Sequence, residues 1–69
     1  MKNFFSVNLR RMREKRGWSR DKLCMKLGFY NHKNVYSWEN GTEPGYSTLV
    51  KLAAIFEVSV DDFLTKEIK

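Results

Sequence analysis

The chain has 69 residues, of which 42% are hydrophobic and 30% charged, and its formal net charge is +5. This composition is typical of a small globular protein, and no apolar run approaches the ~18 residues that a membrane-spanning helix needs. A single cysteine excludes an internal disulfide, and one cysteine with one histidine cannot supply the four ligands of a structural zinc site. We therefore predict one domain over residues 1–69, without a signal peptide, a metal or another cofactor.

Charge is unevenly distributed along the chain. Residues 1–35 contain ten Lys or Arg and two acidic residues, a net charge of +8. Residues 36–69 contain three Lys and six acidic residues, a net charge of −3. A chain polarised in this way is expected to present one basic face, which favours a polyanionic partner. A surface that serves only solubility is the alternative.

The predicted elements are all helices, because the apolar residues recur at helical spacing and no segment alternates with period two for long enough to form a strand. Phe5, Leu9 and Met12 form one apolar stripe at i, i+4 and i+7, and Ser19 and Ser59 are predicted N-caps. The predicted helices cover residues 3–16, 19–27, 31–40, 46–56 and 59–65. Five short helices with short connections predict a compact all-α bundle.

The third predicted helix has two distinct sides. Val35 and Trp38 are its apolar residues, one turn apart, and they define the side that faces the core. Since side chains three or four residues apart share a helix face, the polar side can be read from the spacing. That side consists of His32, Lys33, Tyr36 and Ser37.

Six segments then follow one another in a characteristic order and spacing. They are Leu9–Met12 with Arg13, Trp18–Cys24, Val35–Gly41, Pro44, Leu49–Ala53 and Val58–Leu64. Together they resemble the XRE-type family, the phage repressor and Cro-like helix-turn-helix proteins, over residues 5–64. The resemblance implies a lambda-repressor-like five-helix bundle that reads double-stranded DNA with helix 3 in the major groove. It further implies a cytoplasmic, nucleoid-associated transcriptional regulator, with repression as the expected activity.

The chain departs from the family pattern at four places. Arg20 stands where the family usually has Gln, and Cys24 stands where it usually has Ala. The turn over 28–30 is one residue longer than usual, and the loop over 41–44 is one residue shorter. Because the longer turn blurs the start of helix 3, its register is anchored from the Trp38 end.

The base-reading residues are expected on the polar side of helix 3. They are His32, Lys33, Tyr36 and Ser37, with Asn31 if the register shifts toward the groove. Lys33 can donate to the O6 and N7 atoms of guanine. Tyr36 either stacks on a deoxyribose or touches a thymine methyl, or it packs against Phe29 or Tyr30. An exposed bystander is the alternative for His32.

Phosphate contacts are expected from basic side chains and from helix ends. Arg20, at the start of helix 2, is the strongest candidate. The resemblance implies that Asn40 and the backbone amides of Gly41 and Thr42 hold a second phosphate. Peripheral candidates, for which a solvated surface role is the alternative, are Arg10, Lys15, Arg16 and Lys22.

Two further roles are structural. The resemblance implies an ion pair between Arg13 of helix 1 and Glu39 at the end of helix 3. The value of such a pair lies in fixing the angle of helix 3 more than in net stability. Cys24 is expected to be a small buried residue that faces helix 3.

The expected partner is a near-palindromic DNA operator bound by two copies of the chain. A weak homodimer would use helix 5 and the tail that follows it. The alternative function is a protein-interaction module on the same scaffold, such as an antitoxin or an anti-regulator. That alternative needs an apolar patch outside the core, and its candidates are Phe4, Tyr30, Tyr46 and Ile68. No catalytic constellation, small-molecule pocket signature or membrane segment is present in the sequence, so we expect no enzyme.

Overall fold

The helices follow one another without an intervening strand in the computed structural model, which describes residues 4–28 and 33–68. Those residues form α1 (Phe5–Lys15), α2 (Arg20–Leu27), α3 (Lys33–Glu39), α4 (Tyr46–Phe56) and α5 (Val60–Thr65). The prediction of an all-α fold is confirmed. No helix in the described ranges is long and apolar enough to cross a membrane.

Two serines begin their helices as the sequence predicts. The Ser19 hydroxyl accepts a hydrogen bond from the backbone N–H of Lys22 at 3.0 Å, and the Ser59 hydroxyl accepts one from Asp62 N–H, also at 3.0 Å. Each bond satisfies one of the amides that have no partner within the first helical turn. Asp21 stands in the first turn of α2, where a negative charge suits the helix dipole.

The starts of α1 and α4 lack a side-chain cap. Phe4 is the N-cap residue of α1, and its backbone N–H donates to the carbonyl oxygen of Leu64 at 3.0 Å. Asn3, the first residue of the predicted helix over 3–16, lies outside the described residues. At α4 the N-cap residue is Gly45, which stands immediately before Tyr46 in an extended conformation.

Two helix ends show how the chain leaves the helical conformation. Gly28 ends α2 with φ of 86°, a left-handed conformation that glycine adopts without steric cost. Glu57 ends α4 in the same left-handed region, with φ of 60°. Glutamate pays a steric cost in this region because it carries a Cβ atom, so the end of α4 stores strain.

The core joins all five helices. The Phe63 ring of α5 lies 5.0 Å from the Phe5 ring of α1 and 6.4 Å from the Phe56 ring of α4, measured between centroids. α1 packs on α3 and α5, α2 packs on α3, and α4 packs on α5. The buried apolar residues are Phe5, Leu9, Met12, Leu23, Cys24, Leu27, Val35, Trp38, Leu52, Ala53, Phe56 and Phe63.

A buried amide on α1 holds the end of the described chain. The Asn8 side chain is fully buried and donates from Nδ2 to the carbonyl oxygens of Phe63 at 2.8 Å and Lys66 at 2.7 Å. Its Oδ1 accepts from the backbone N–H of Ile68 at 2.8 Å. Arg11 adds an ion pair with Glu67 at 2.9 Å. Residues 66–68, which follow α5, are therefore docked on α1.

Candidate nucleic-acid interface

α2 and α3 form a pair whose facing sides are apolar. Leu23, Cys24 and Leu27 of α2 are buried, as are Val35 and Trp38 of α3. The helices contact each other directly, and the intervening residues 29–32 lie outside the described ranges. The described part of α3 starts at Lys33 and ends at Glu39, so the predicted site residues Asn31 and His32 also fall outside them.

The outer side of α3 carries the other three predicted base-reading residues. Lys33 is exposed, Tyr36 is 54% exposed, and Ser37 is half-buried. All three lie on the same helix as the buried Val35 and Trp38, which fix that helix against the core. The arrangement presents an amine, a phenol and a hydroxyl from one rigid element.

Arg13 and Glu39 form a buried ion pair between α1 and the end of α3. Arg13 Nε lies 2.6 Å from Glu39 Oε2, and Arg13 Nη2 lies 3.3 Å from Oε1. The two side chains are only 9% and 2% exposed. Arg13 Nη1 also donates to the carbonyl oxygen of Trp18 at 2.7 Å, so each guanidinium nitrogen has a partner. Charge-assisted bonds of this kind fix the position of α3 relative to α1.

Arg20, the first residue of α2, also binds the Glu39 carboxylate. Its Nε donates to Glu39 Oε1 at 3.1 Å, and its side chain is 37% exposed. Glu39 therefore accepts from two guanidinium groups, and the three side chains together carry a net charge of +1. The sequence predicts Arg20 only as a phosphate contact and does not indicate this second bond.

The ring of Tyr36 lies under the Arg20 guanidinium. Arg20 Cζ is 5.2 Å from the ring centroid, within the range of a cation–π interaction. Of the alternatives open for Tyr36, packing against Phe29 or Tyr30 involves residues outside the described ranges. The sequence does not indicate this contact with Arg20, because the two residues are sixteen positions apart on different helices.

The chain after α3 uses its backbone amides internally. Thr42 N–H donates to the carbonyl oxygen of Ser37 at 3.0 Å, and Gly41 N–H donates to that of Trp38 at 3.3 Å. The Asn40 side chain donates to the carbonyl oxygen of Tyr36 at 2.8 Å. The two backbone amides therefore have acceptors at the end of α3, whereas the Asn40 amide carries a second N–H besides the one in this bond. A phosphate at this end would share or replace the backbone bonds, or accept from that second N–H.

The peripheral cations have different surroundings. Arg10 pairs with Glu14 within α1 at 3.3 Å, and both side chains are exposed. Arg16 Cζ lies 5.3 Å from the ring centroid of Trp18. Lys15 and Lys22 are exposed on α1 and α2.

Burial raises the pKa of the Cys24 thiol above its ordinary value, and a hydrogen bond with the backbone of Val35 opposes that effect. The thiol is therefore neutral near pH 7, as expected for a core residue. Among the described residues, no group of three or more His, Cys, Asp or Glu is arranged to hold a metal ion.

Two further polar residues of α1 position other parts of the chain. Ser6 Oγ donates to the carbonyl oxygen of Trp38 at 2.7 Å and so ties α1 to the last turn of α3. Asn8 lies between Phe5 and Leu9 on the apolar stripe of α1. A polar residue within an apolar stripe is a signal of a buried hydrogen-bonding role, and it identifies Asn8 in retrospect.

Comparison with known proteins identifies a matching family and two similar solved structures. A family model described as helix-turn-helix matches residues 9–63, whereas no curated protein matches the chain. A transcriptional regulator from Listeria innocua has a similar structure, with a TM-score of 0.85 and 24% identity over 100% of this chain. This chain spans 66% of that regulator's length. The structure of SinR, a master regulator for biofilm formation, in complex with DNA has a TM-score of 0.73 and 26% identity, covering 86% of this chain and 95% of that one.

Proposed function

Because the chain belongs to the XRE-type helix-turn-helix family, we propose that it is a sequence-specific regulator of transcription that binds double-stranded DNA, with repression as its activity. The observation that carries the proposal is the outer side of α3. Lys33, Tyr36 and Ser37 lie on a helix that Val35 and Trp38 anchor in the core. A helix presented in this way fits the major groove, where side-chain donors meet the base edges.

The solved relatives support this proposal. The SinR structure is described as a complex with DNA, and its fold covers most of this chain. The basic first half of the sequence supplies the charge that a polyanion requires, since it carries ten Lys or Arg against two acidic residues. No enzymatic step is needed for a function of this kind.

Within the proposal, the base-reading residues are Lys33, Tyr36 and Ser37, together with Asn31 and His32, which precede Lys33 in the sequence. Phosphate contact falls first to Arg20. Its Nε donates to Glu39, but a guanidinium has five N–H donors, and those on the two Nη atoms suit a phosphate. The further phosphate contacts proposed are Asn40, Gly41, Thr42, Arg10 and Lys22.

We further propose that two copies bind one near-palindromic operator. A single short helix reads few base pairs, and pairing two of them on half-sites about 10 base pairs apart increases the specificity. A dimer of this kind places two copies of α3 on one side of the duplex. A weak homodimer before DNA binding is consistent with this arrangement.

A selection experiment tests the proposed function. Duplexes retained by the protein from a random pool should converge on one near-palindromic sequence, and binding to that sequence should weaken as salt is raised. Titration at saturating protein should give two chains per duplex. Failure to enrich any sequence, together with binding that does not respond to salt, would overturn the proposal.

The protein-interaction alternative has less support in the described residues. Of its candidate apolar patch, Phe4 and Ile68 are half-buried and Ile68 packs against the core. Tyr46 is strongly exposed on α4, and Val50 follows it one turn later. Tyr30 lies outside the described ranges. A tight protein partner captured without any salt-sensitive DNA binding would favour this alternative.

A further inference from the structure

The Arg20 side chain is held by a buried carboxylate and is also partly exposed to solvent. Its Nε donates at 3.1 Å to Glu39, whose side chain is only 2% exposed and is already held by Arg13 at 2.6 Å. The Arg20 side chain nevertheless remains 37% exposed. A guanidinium that donates to a buried carboxylate has little rotational freedom, because its donors form a rigid planar fork.

The held Arg20 guanidinium lies over the ring of Tyr36. Arg20 Cζ lies 5.2 Å from the centroid of its ring, and the tyrosine is 54% exposed on the outer side of α3. Without such a contact, an exposed tyrosine on a helix samples more than one χ1 rotamer. The stacked guanidinium favours the rotamers that keep the ring beneath it, so the phenol is directed before any ligand arrives.

From this geometry we propose that Arg20 is a specificity-determining residue that acts through Tyr36. It holds the tyrosine ring in one orientation, and the ring then discriminates among base pairs in the groove. This inference rests on the proposed DNA-binding function and adds a second role to the phosphate contact assigned to Arg20. A phosphate contact alone carries no sequence information.

The two roles of Arg20 can be separated by substitution. Arg20→Lys keeps the positive charge and therefore the phosphate attraction. Lysine lacks the planar fork, so it cannot donate to Glu39 and stack on Tyr36 in the same way. Arg20→Gln introduces the residue that the family usually has at this place and removes the charge.

The test uses the 69-residue chain and two duplexes, one selected from a random pool by the unaltered protein and one with the same bases scrambled. Arg20→Lys should weaken binding to the selected duplex about two- to fivefold, the factor expected for an exposed cation–π contact, and leave binding to the scrambled duplex unchanged. The slope of log K against log salt should stay the same. Arg20→Gln should reduce that slope by about 0.9, one phosphate contact.

The Tyr36→Ala background completes the experiment. There Arg20→Lys should have no further effect on the ratio of the two affinities, because the ring through which it acts is gone. Arg11→Lys is the matched control, since Arg11 pairs with Glu67 on the other side of α1 and should change neither affinity. Circular dichroism should show unchanged helix content in each variant.

Two results would overturn the inference while leaving DNA binding intact. One is an equal loss of affinity for both duplexes in Arg20→Lys, which would make Arg20 a phosphate contact only. The other is that Arg20→Lys lowers the preference for the selected duplex by the same factor with and without the Tyr36→Ala substitution. If the unaltered protein selects no duplex and its binding does not depend on salt, the proposed function itself fails.

Discussion

α1 holds two distant parts of the chain through buried polar side chains of different chemistry. Asn8 binds the backbone around the end of α5 through three neutral hydrogen bonds, which we name the amide clamp. Arg13 binds the Glu39 carboxylate at the end of α3, and Arg20 joins it from outside, which we name the charged clamp. Asn8 and Arg13, the buried polar residues of α1, are only five positions apart.

The difference lies in where each clamp ends. The amide clamp ends in backbone groups, and each polar atom of the Asn8 side chain has a partner within the protein. The charged clamp carries one more positive than negative charge and reaches the surface through Arg20. A neutral clamp therefore serves the fold alone, whereas the charged clamp shares a residue with the proposed interface. This contrast predicts which substitutions affect stability only and which also affect binding.

The largest effect on the free energy of unfolding is expected from Glu39→Ala, which removes the carboxylate that both arginines of the charged clamp bind. Arg13 would be left buried without its counter-ion, and loss of one partner of a buried pair costs about 3–5 kcal/mol. Chemical denaturation should show that decrease in the free energy of unfolding. Glu39→Gln, which keeps an acceptor and the side-chain shape, should lose less. A decrease below about 1 kcal/mol for Glu39→Ala would mean that Arg13 readily finds other partners.

Asn8→Ala should break the amide clamp at a smaller cost, about 1–3 kcal/mol, because it leaves neutral backbone groups, and no buried charge, without their partner. Affinity for the selected duplex should be unchanged in the folded protein. Asn8→Asp is the informative control: a carboxylate accepts from Ile68 N–H but cannot donate to the carbonyl oxygens of Phe63 and Lys66, so it should not rescue stability. Weakened DNA binding without unfolding would contradict the separation of the two clamps.

Lys33→Ala tests the surface that the charged clamp positions. If Lys33 donates to a guanine edge, its loss should cost about 1–3 kcal/mol of binding free energy on the selected duplex and much less on the scrambled one. Lys51→Ala, which removes an exposed lysine of α4, is the matched control and should change neither. Equal losses on both duplexes for Lys33→Ala would make Lys33 a phosphate contact. Thermal unfolding should be unaffected in both variants.

The smallest effect is expected at Glu57, which belongs to neither clamp. Glu57→Gly should relieve the left-handed conformation at the end of α4 and stabilise the fold by about 0.5–1 kcal/mol. In a domain of this size that change should raise Tm by a few degrees, measured by thermal denaturation. Glu57→Ala keeps a Cβ atom and should give no such gain. DNA binding should be the same in all three proteins.

The sequence by itself determined the helices and their serine caps. A cap bond such as that from Lys22 N–H to Ser19 spans three residues, so a short window of sequence contains both partners. The apolar stripe of α1 and the inward pair Val35 and Trp38 follow from helical spacing for the same reason. The ordered segments that resemble the XRE-type family then indicated the all-α fold, which the structure and the comparisons confirm.

The tertiary structure alone decided how the polar residues share partners. Asn8 and Ile68 are 60 positions apart, and Arg20 and Glu39 are 19 apart, so their contacts depend on how the helices dock. The Arg13–Glu39 pair could be anticipated only from the resemblance, and nothing in the sequence indicated that Arg20 would reach the same carboxylate. A side chain with several donors can pair with many different acceptors, and the spacing of residues along the chain does not determine which acceptor it meets. The packing of α1, α2 and α3 makes that choice by bringing one buried carboxylate within reach of both arginines.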